Sequence, residues 1–195
     1  TIACGALSGM HAMVSSGTSP KMIQKESQTR MIGYAGMLME SFVAIMALAA
    51  AVSLSPGIYF SMNTPTATME KLAGPEVVDA QPCDTNNDPD HHCEELAATA
   101  VENLGVTDAH GNAMNPEWDS WDEAGNPTTY TGAGALTRLA GDVGEPNVVS
   151  RTGGAPTLSV GMAHILHQIG GGRTMMGFWY HFAIMFEALF ILSAV

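Results

Sequence analysis

Two long apolar runs each carry a single carboxylate. GYAGMLMESFVAIMALAAAVSL, 33–54, holds Glu40, and GFWYHFAIMFEALFILSAV, 177–195, holds Glu187 with His181 before it. A shorter apolar stretch, 156–169, holds His164 and His167, and the first run of the chain holds His11. Carboxyls and imidazoles in apolar surroundings can take up and release protons near neutrality. Burial disfavours a charged carboxylate, and imidazole titrates close to neutral pH unaided. An ionisable side chain at bilayer depth is costly, so it marks a substrate, ion or proton path by default.

Helical spacing sorts these groups onto faces. Glu40 shares a face with Gly33, Gly36, Ala44 and Ala47, small residues that admit a neighbouring helix. Glu40 is therefore expected to point into a bundle. Tyr180, Ala183, Glu187 and Ala194 form one stripe, from which His181 is turned away, so His181 and Glu187 each need a partner elsewhere. Thr157, Gly161, His164 and Gln168 share a face, as do Cys4, Ser8, His11 and Ser15. Packed together, these stripes would line one polar cavity, with Glu40, Glu187, His164, His181 and His11 as candidates for the substrate or proton pathway. The structural alternative is that each group is satisfied by nearby backbone or hydroxyls.

The elements that would hold these residues are membrane helices. The run 32–54, at 1.5 Å per residue, is about 34 Å long, enough for a hydrocarbon core of about 30 Å. The run 174–195 is of similar length, and Pro56 and Gly57 close the earlier one. The stretch 156–169 is short for a span and is framed by Gly153–Gly154 and by three glycines, 170–172. That framing predicts a re-entrant or broken helix, the kind that often forms a transporter's substrate site. Amides at Gly153, Gly154 and Thr157 would then face a substrate carboxylate. A short helix is expected from Ser19 and Pro20. Lys21, Lys25 and Arg30 put that connection on the cytoplasmic side and the following loop outside.

The net charge of -12 comes largely from one region: 74–146 holds fifteen acidic residues and one basic one, Arg138. The domain plan is therefore transmembrane helices over 1–60, an acidic extramembrane loop over 61–150, and a broken helix plus a second span over 151–195. Both ends of the sequence fall inside apolar stretches, as expected for an internal piece of a longer membrane protein. Within the loop, turn signals abound (PCDTNNDPDHH, DEAGNP), and helices are expected near 93–103 and 133–140. Trp118 and Trp121 would anchor a small core or rest on a membrane surface. The acidic surface itself reads as solvated. Cys83 and Cys93 suit a disulfide if the loop is external. With His91 and His92 between them they also raise a metal, but the spacing fits no standard zinc pattern. No nucleotide loop or HExxH motif occurs, and no cofactor or metal is expected. The acidic balance argues against nucleic acid.

These segments resemble the carbon starvation protein A family, which includes peptide transporters and pyruvate-transporting relatives. The resemblance rests on TIACGALSGMHAMVSSGTSPKMIQKES, IGYAGMLMESFVAIMALAAA with PGIYFSMNTP, GEPNVVSRTGGAPTLSVGMAHI, and GFWYHFAIMFEALFILSAV. It implies an all-α polytopic bundle similar to the amino acid–polyamine–cation transporters, multi-pass in the bacterial inner membrane. It also implies secondary transport, not catalysis, with the lipid bilayer and the remaining helices of the full-length protein as partners. The expected activity is import of peptides or a small carboxylate with a co-transported proton or cation. A pyruvate-specific symporter, a membrane sensor or structural component, and an intramembrane enzyme stand as alternatives. The loop 66–139 departs from the family in its acidity and in its Cys83–Cys93 stretch.

Overall fold

The computed structural model describes residues 16–17, 19–74, 92–105, 107, 111, 114–169 and 172–194, and falls into two units, Thr1–Ile45 and Met46–Val195. In the first unit, helix α1 (Ser19–Met22) precedes the long helix α2 (Glu26–Ser53), whose last turns belong to the second unit. Helix α2 starts six residues before the apolar run. Glu26 in its first turn suits the positive end of the helix dipole. At 28 residues it is, among the described residues, the helix long and apolar enough to cross a bilayer. Met31, Leu38, Phe42 and Leu48 along it are exposed. A soluble core helix would bury such residues, whereas a lipid-facing or bundle-facing helix leaves them uncovered within one chain.

The second unit has a buried core and begins with two helices absent from the sequence expectation, α3 (Pro56–Asn63) and α4 (Thr66–Ala73). The start of α3 is written locally. Ser55 accepts a hydrogen bond from the Ile58 N–H at 3.4 Å, and Pro56 takes the first helical position. Helix α4 falls within the expected loop 61–150 and α3 straddles its start; each is only two turns long and carries too little apolar period to be seen. Helix α5 (His92–Asn103) packs on α4, and its Asn103 amide donates to the Leu72 and Ala73 carbonyls at 3.0 and 3.1 Å. Those carbonyls would otherwise be open at the end of α4.

Strands β1 (Glu117–Trp121) and β2 (Pro127–Thr131) then form an antiparallel hairpin with Trp118 opposite Tyr130 and Ser120 opposite Thr128. The all-α expectation is corrected here: the described fold is mostly helical but carries this two-stranded sheet. The DEAGNP turn closes it. The Asn126 N–H donates to Asp122 Oδ1 at 2.8 Å, and Gly125 takes a φ of 85°. The Asn126 side chain donates to the same carboxylate and holds the Asp122 carboxyl below its usual range. Trp118 and Ser120 point inward, as alternation along a half-buried strand requires.

Helix α6 (Ala133–Val143) follows, three residues longer than the expected 133–140, and ends in a left-handed Gly144. The Gly144 N–H bonds the Gly141 carbonyl and the Glu145 N–H bonds the Ala140 carbonyl at 3.0 Å, a glycine-terminated cap that turns Glu145 back over the fold. Helix α7 (Ala155–Ile169) is continuous; its glycine pairs lie at the ends, with Gly153 and Gly154 at φ 118° and 86°. A 3-10 turn (Arg173–Met175) leads into α8 (Met176–Ala194), which packs along α7. Ile58, Met62, Leu96, Leu136, Leu139 and Val160 are almost fully buried between these elements. At two points only glycine fits. A Cβ on Gly57 would overlap the Asn115–Pro116 backbone, and one on Gly161 would overlap the Ala50 backbone near the end of α2.

Candidate functional site

The described candidates of the second unit fall into separate neighbourhoods. Glu40 lies midway along α2, and nothing is described of its side chain. His11, Cys4 and Cys83 lie outside the described residues. Cys93 is disulfide-bonded, and it is buried at the start of α5.

Thr157 is buried in the first turn of α7, where its Oγ1 accepts a hydrogen bond from Asn63 Nδ2 at 2.8 Å. It ties α7 to α3. Gly153 and Gly154 are exposed, just outside that helix start. The turn before them is strapped down by Ser150, which has a φ of 56°. Its N–H donates to the Ser61 carbonyl and its Oγ accepts from the Thr66 N–H, both at 3.0 Å. A left-handed serine persists only where such contacts over-determine it.

His181, near the start of α8, hydrogen-bonds the Gly177 carbonyl through Nδ1 at 2.8 Å. Its Nε2 stands 3.8 Å from Glu145 Oε1, while Arg151 Nη2 stands 3.6 Å from Glu145 Oε2. Tyr180 also bonds Glu145. The partner that His181 lacked on its own helix is thus Glu145, a residue the sequence reading did not single out. Arg151 is further held by the Asn147 carbonyl at 3.2 Å from its Nε. It is occupied within the turn before α7.

Glu187 is half-buried on α8, and its Oε2 is enclosed with no hydrogen-bond partner among the described residues. A carboxyl in that state is costly unless protonated or met by groups beyond this chain.

His164 sits on α7 against the hairpin. Its ring centroid is 4.9 Å from that of Trp118 and 5.4 Å from that of His167, whose ring meets Trp121 at 5.4 Å. His164 Nδ1 is enclosed without a hydrogen-bond partner among the described residues. His167 Nδ1 contacts the Ala163 carbonyl at 3.3 Å. Trp118, 2% exposed, donates its indole N–H to Asp142 Oδ2 at 3.0 Å. Asp142 also accepts from the Ser120 hydroxyl and pairs with Arg138 at 3.2 Å. Arg138 Nε donates to Ser120 Oγ at 3.0 Å, and its guanidinium lies 5.5 Å from the Tyr130 ring centre. The tryptophans therefore anchor a core. Asp142 has no mark in the sequence because Trp118 and Ser120, which it joins to α6, lie 24 and 22 positions away.

A hollow of about 510 Å³ is almost wholly apolar, is lined by residues such as Val52, Leu54, Tyr59, Phe60 and Val101, and contains none of these candidates. Among the described residues no group of three or more His, Cys, Asp or Glu is arranged to hold a metal.

With that geometry in place, the comparisons with known proteins align the whole chain. It is 47% identical over 195 residues to the peptide transporter CstA of Escherichia coli strain K12, covering all of this chain and 22% of that relative. It is 45% identical over 202 residues to the pyruvate/proton symporter BtsT of the same organism, covering all of this chain and 24% of that protein. It is 44% identical over 198 residues to the peptide transporter CstA of Mycobacterium tuberculosis strain H37Rv, covering all of this chain and 20% of that protein. The chain thus spans roughly a fifth of the length of the curated relatives it matches. No solved structure matches it. The family model for the carbon starvation protein CstA matches residues 1–115 and 119–195, and the chain belongs to that family.

Proposed function

We propose that this chain is part of a secondary active transporter that imports peptides or a small carboxylate across the bacterial inner membrane, coupled to a proton or cation. The observation that carries the reading is full-length similarity of the chain to both a peptide transporter and a pyruvate/proton symporter. The structure lends support through α2, with its apolar side chains uncovered, and through Glu187, whose enclosed Oε2 has no described partner. In this reading the protein is a multi-pass bundle, α2 and α8 are spans, and helices outside this chain cover their faces. Glu40, Glu187, His164, His181 and His11 line the substrate or proton path. The glycine-flanked start of α7, at Gly153, Gly154 and Thr157, lies near the substrate. Thr157 acts there as a tether to Asn63.

The test is uptake by the full-length protein in proteoliposomes. Labelled di- and tripeptides and pyruvate are offered separately, with and without an inward proton gradient. Uptake of one class, stimulated by the gradient, is expected. In Glu187→Gln the stimulation should be lost while the folded protein still exchanges substrate across the membrane. No uptake of either class by folded protein would favour the sensor reading, and unchanged stimulation in the variant would make Glu187 structural.

A further inference from the structure

We propose that the β-hairpin of the acidic segment is a working part of the transport unit, with Trp118 as a positioning residue for the His164 imidazole. The inference rests on the transport reading above and adds to it a residue and an element.

Four observations carry it. First, Trp118 is held by α6. Its indole N–H is fixed by Asp142 Oδ2, and Asp142 is itself fixed by Ser120 and Arg138. The ring therefore belongs to a knot joining β1 to α6. Second, the rings alternate across the hairpin–helix junction, Trp118 on His164 at 4.9 Å and Trp121 on His167 at 5.4 Å. Third, His164 is gripped by ring contact and not by hydrogen bonds: its Nδ1 is enclosed and unpartnered among the described residues. A histidine placed only to fill a core would have its nitrogens satisfied. This one keeps a nitrogen in reserve for a proton or a substrate group. Fourth, α7 is closely packed beside this contact: at Gly161, three residues before His164, a Cβ would overlap the Ala50 backbone. The titratable groups facing His164 are His167 on its own helix and Asp119 on β1. Asp119 is exposed and accepts from Thr129 Oγ1 at 2.6 Å.

The two rings are tilted by 50° to one another, and an indole fixed in that contact fixes the direction in which the imidazole presents its nitrogens. Loss of the ring should therefore alter proton-stimulated transport more than substrate binding. The decisive experiment uses the full-length protein with Trp118→Ala, Trp118→Phe and His164→Gln. In proteoliposomes, Trp118→Ala is expected to lower maximal proton-driven uptake about tenfold or more with little change in KM. It should also displace the pH dependence of uptake, and Trp118→Phe should restore most of both.

A second readout does not depend on transport. Protonated imidazole quenches a neighbouring indole. The emission owed to Trp118, taken as wild type minus Trp118→Phe, should fall as the pH is lowered through the imidazole range. The same difference measured in a His164→Gln background should not fall. If folded Trp118→Ala keeps the wild-type maximal rate and pH profile, or if His164→Gln leaves the emission change intact, the proposal is overturned. If no offered substrate is taken up at all, the transport reading fails by itself. The emission cycle then decides alone whether Trp118 holds the His164 imidazole.

Discussion

At the scale of single residues, the strongest constraint is Asp142. Its carboxylate is nearly buried and serves three donors, the Trp118 indole, the Ser120 hydroxyl and the Arg138 guanidinium. Removing one partner of such a buried set strands the others away from water. Asp142→Ala should therefore destabilise the second unit by about 3 kcal/mol, read as a lower thermal midpoint of the purified full-length protein. A loss within about 0.5 kcal/mol, the range of ordinary surface substitutions, would show that the knot is not structural. Glu145 makes the complementary point. It is one acidic residue among many in its region, and only the glycine cap of α6 brings it to Tyr180, Arg151 and His181.

At the scale of elements, the long helices were legible and the short ones were not. Glu26–Ser53 and Met176–Ala194 announce themselves by twenty or so apolar residues, and His92–Asn103 and Ala133–Val143 by helical apolar spacing. Helices Pro56–Asn63 and Thr66–Ala73 exist chiefly because the core covers them, through Ile58, Met62 and Met69. The hairpin had a signal, the alternation in EWDSW and the β-branched PTTYT around a DEAGN turn, but two strands of five residues are marginal without a partner surface. That surface is α6 and α7. The crossing of α7 on the end of α2 depends on Gly161, so Gly161→Val should prevent the close approach to Ala50. The expected result is a protein destabilised by about 1–3 kcal/mol or more, with a lower thermal midpoint. An unchanged midpoint would mean that the helices separate at no cost.

At the scale of the whole molecule, the transport reading proposed above carries an orientation, argued from charge distribution. Lys21, Lys25 and Arg30 precede α2, and the acidic residues follow it. A membrane-impermeant thiol reagent applied to intact cells should therefore label Glu123→Cys, at the hairpin turn, and spare Lys25→Cys until the membrane is opened. The reverse pattern would invert the topology. Equal labelling of both in intact cells would remove α2 as a span.

Much of this was set by composition and order alone. An apolar run long enough for a bilayer, an acidic segment after it and the family signatures need no tertiary information, because hydrophobic length and charge are local properties. Which polar groups meet was decided by tertiary structure. The sequence stripes suggested one shared cavity, whereas the fold gives Thr157 to Asn63, His181 to Glu145 and His164 to Trp118. Those pairings join residues up to 94 positions apart. Their physical cause is the packing of α3, the hairpin and α6 against α7 and α8, and no period within any one segment encodes it.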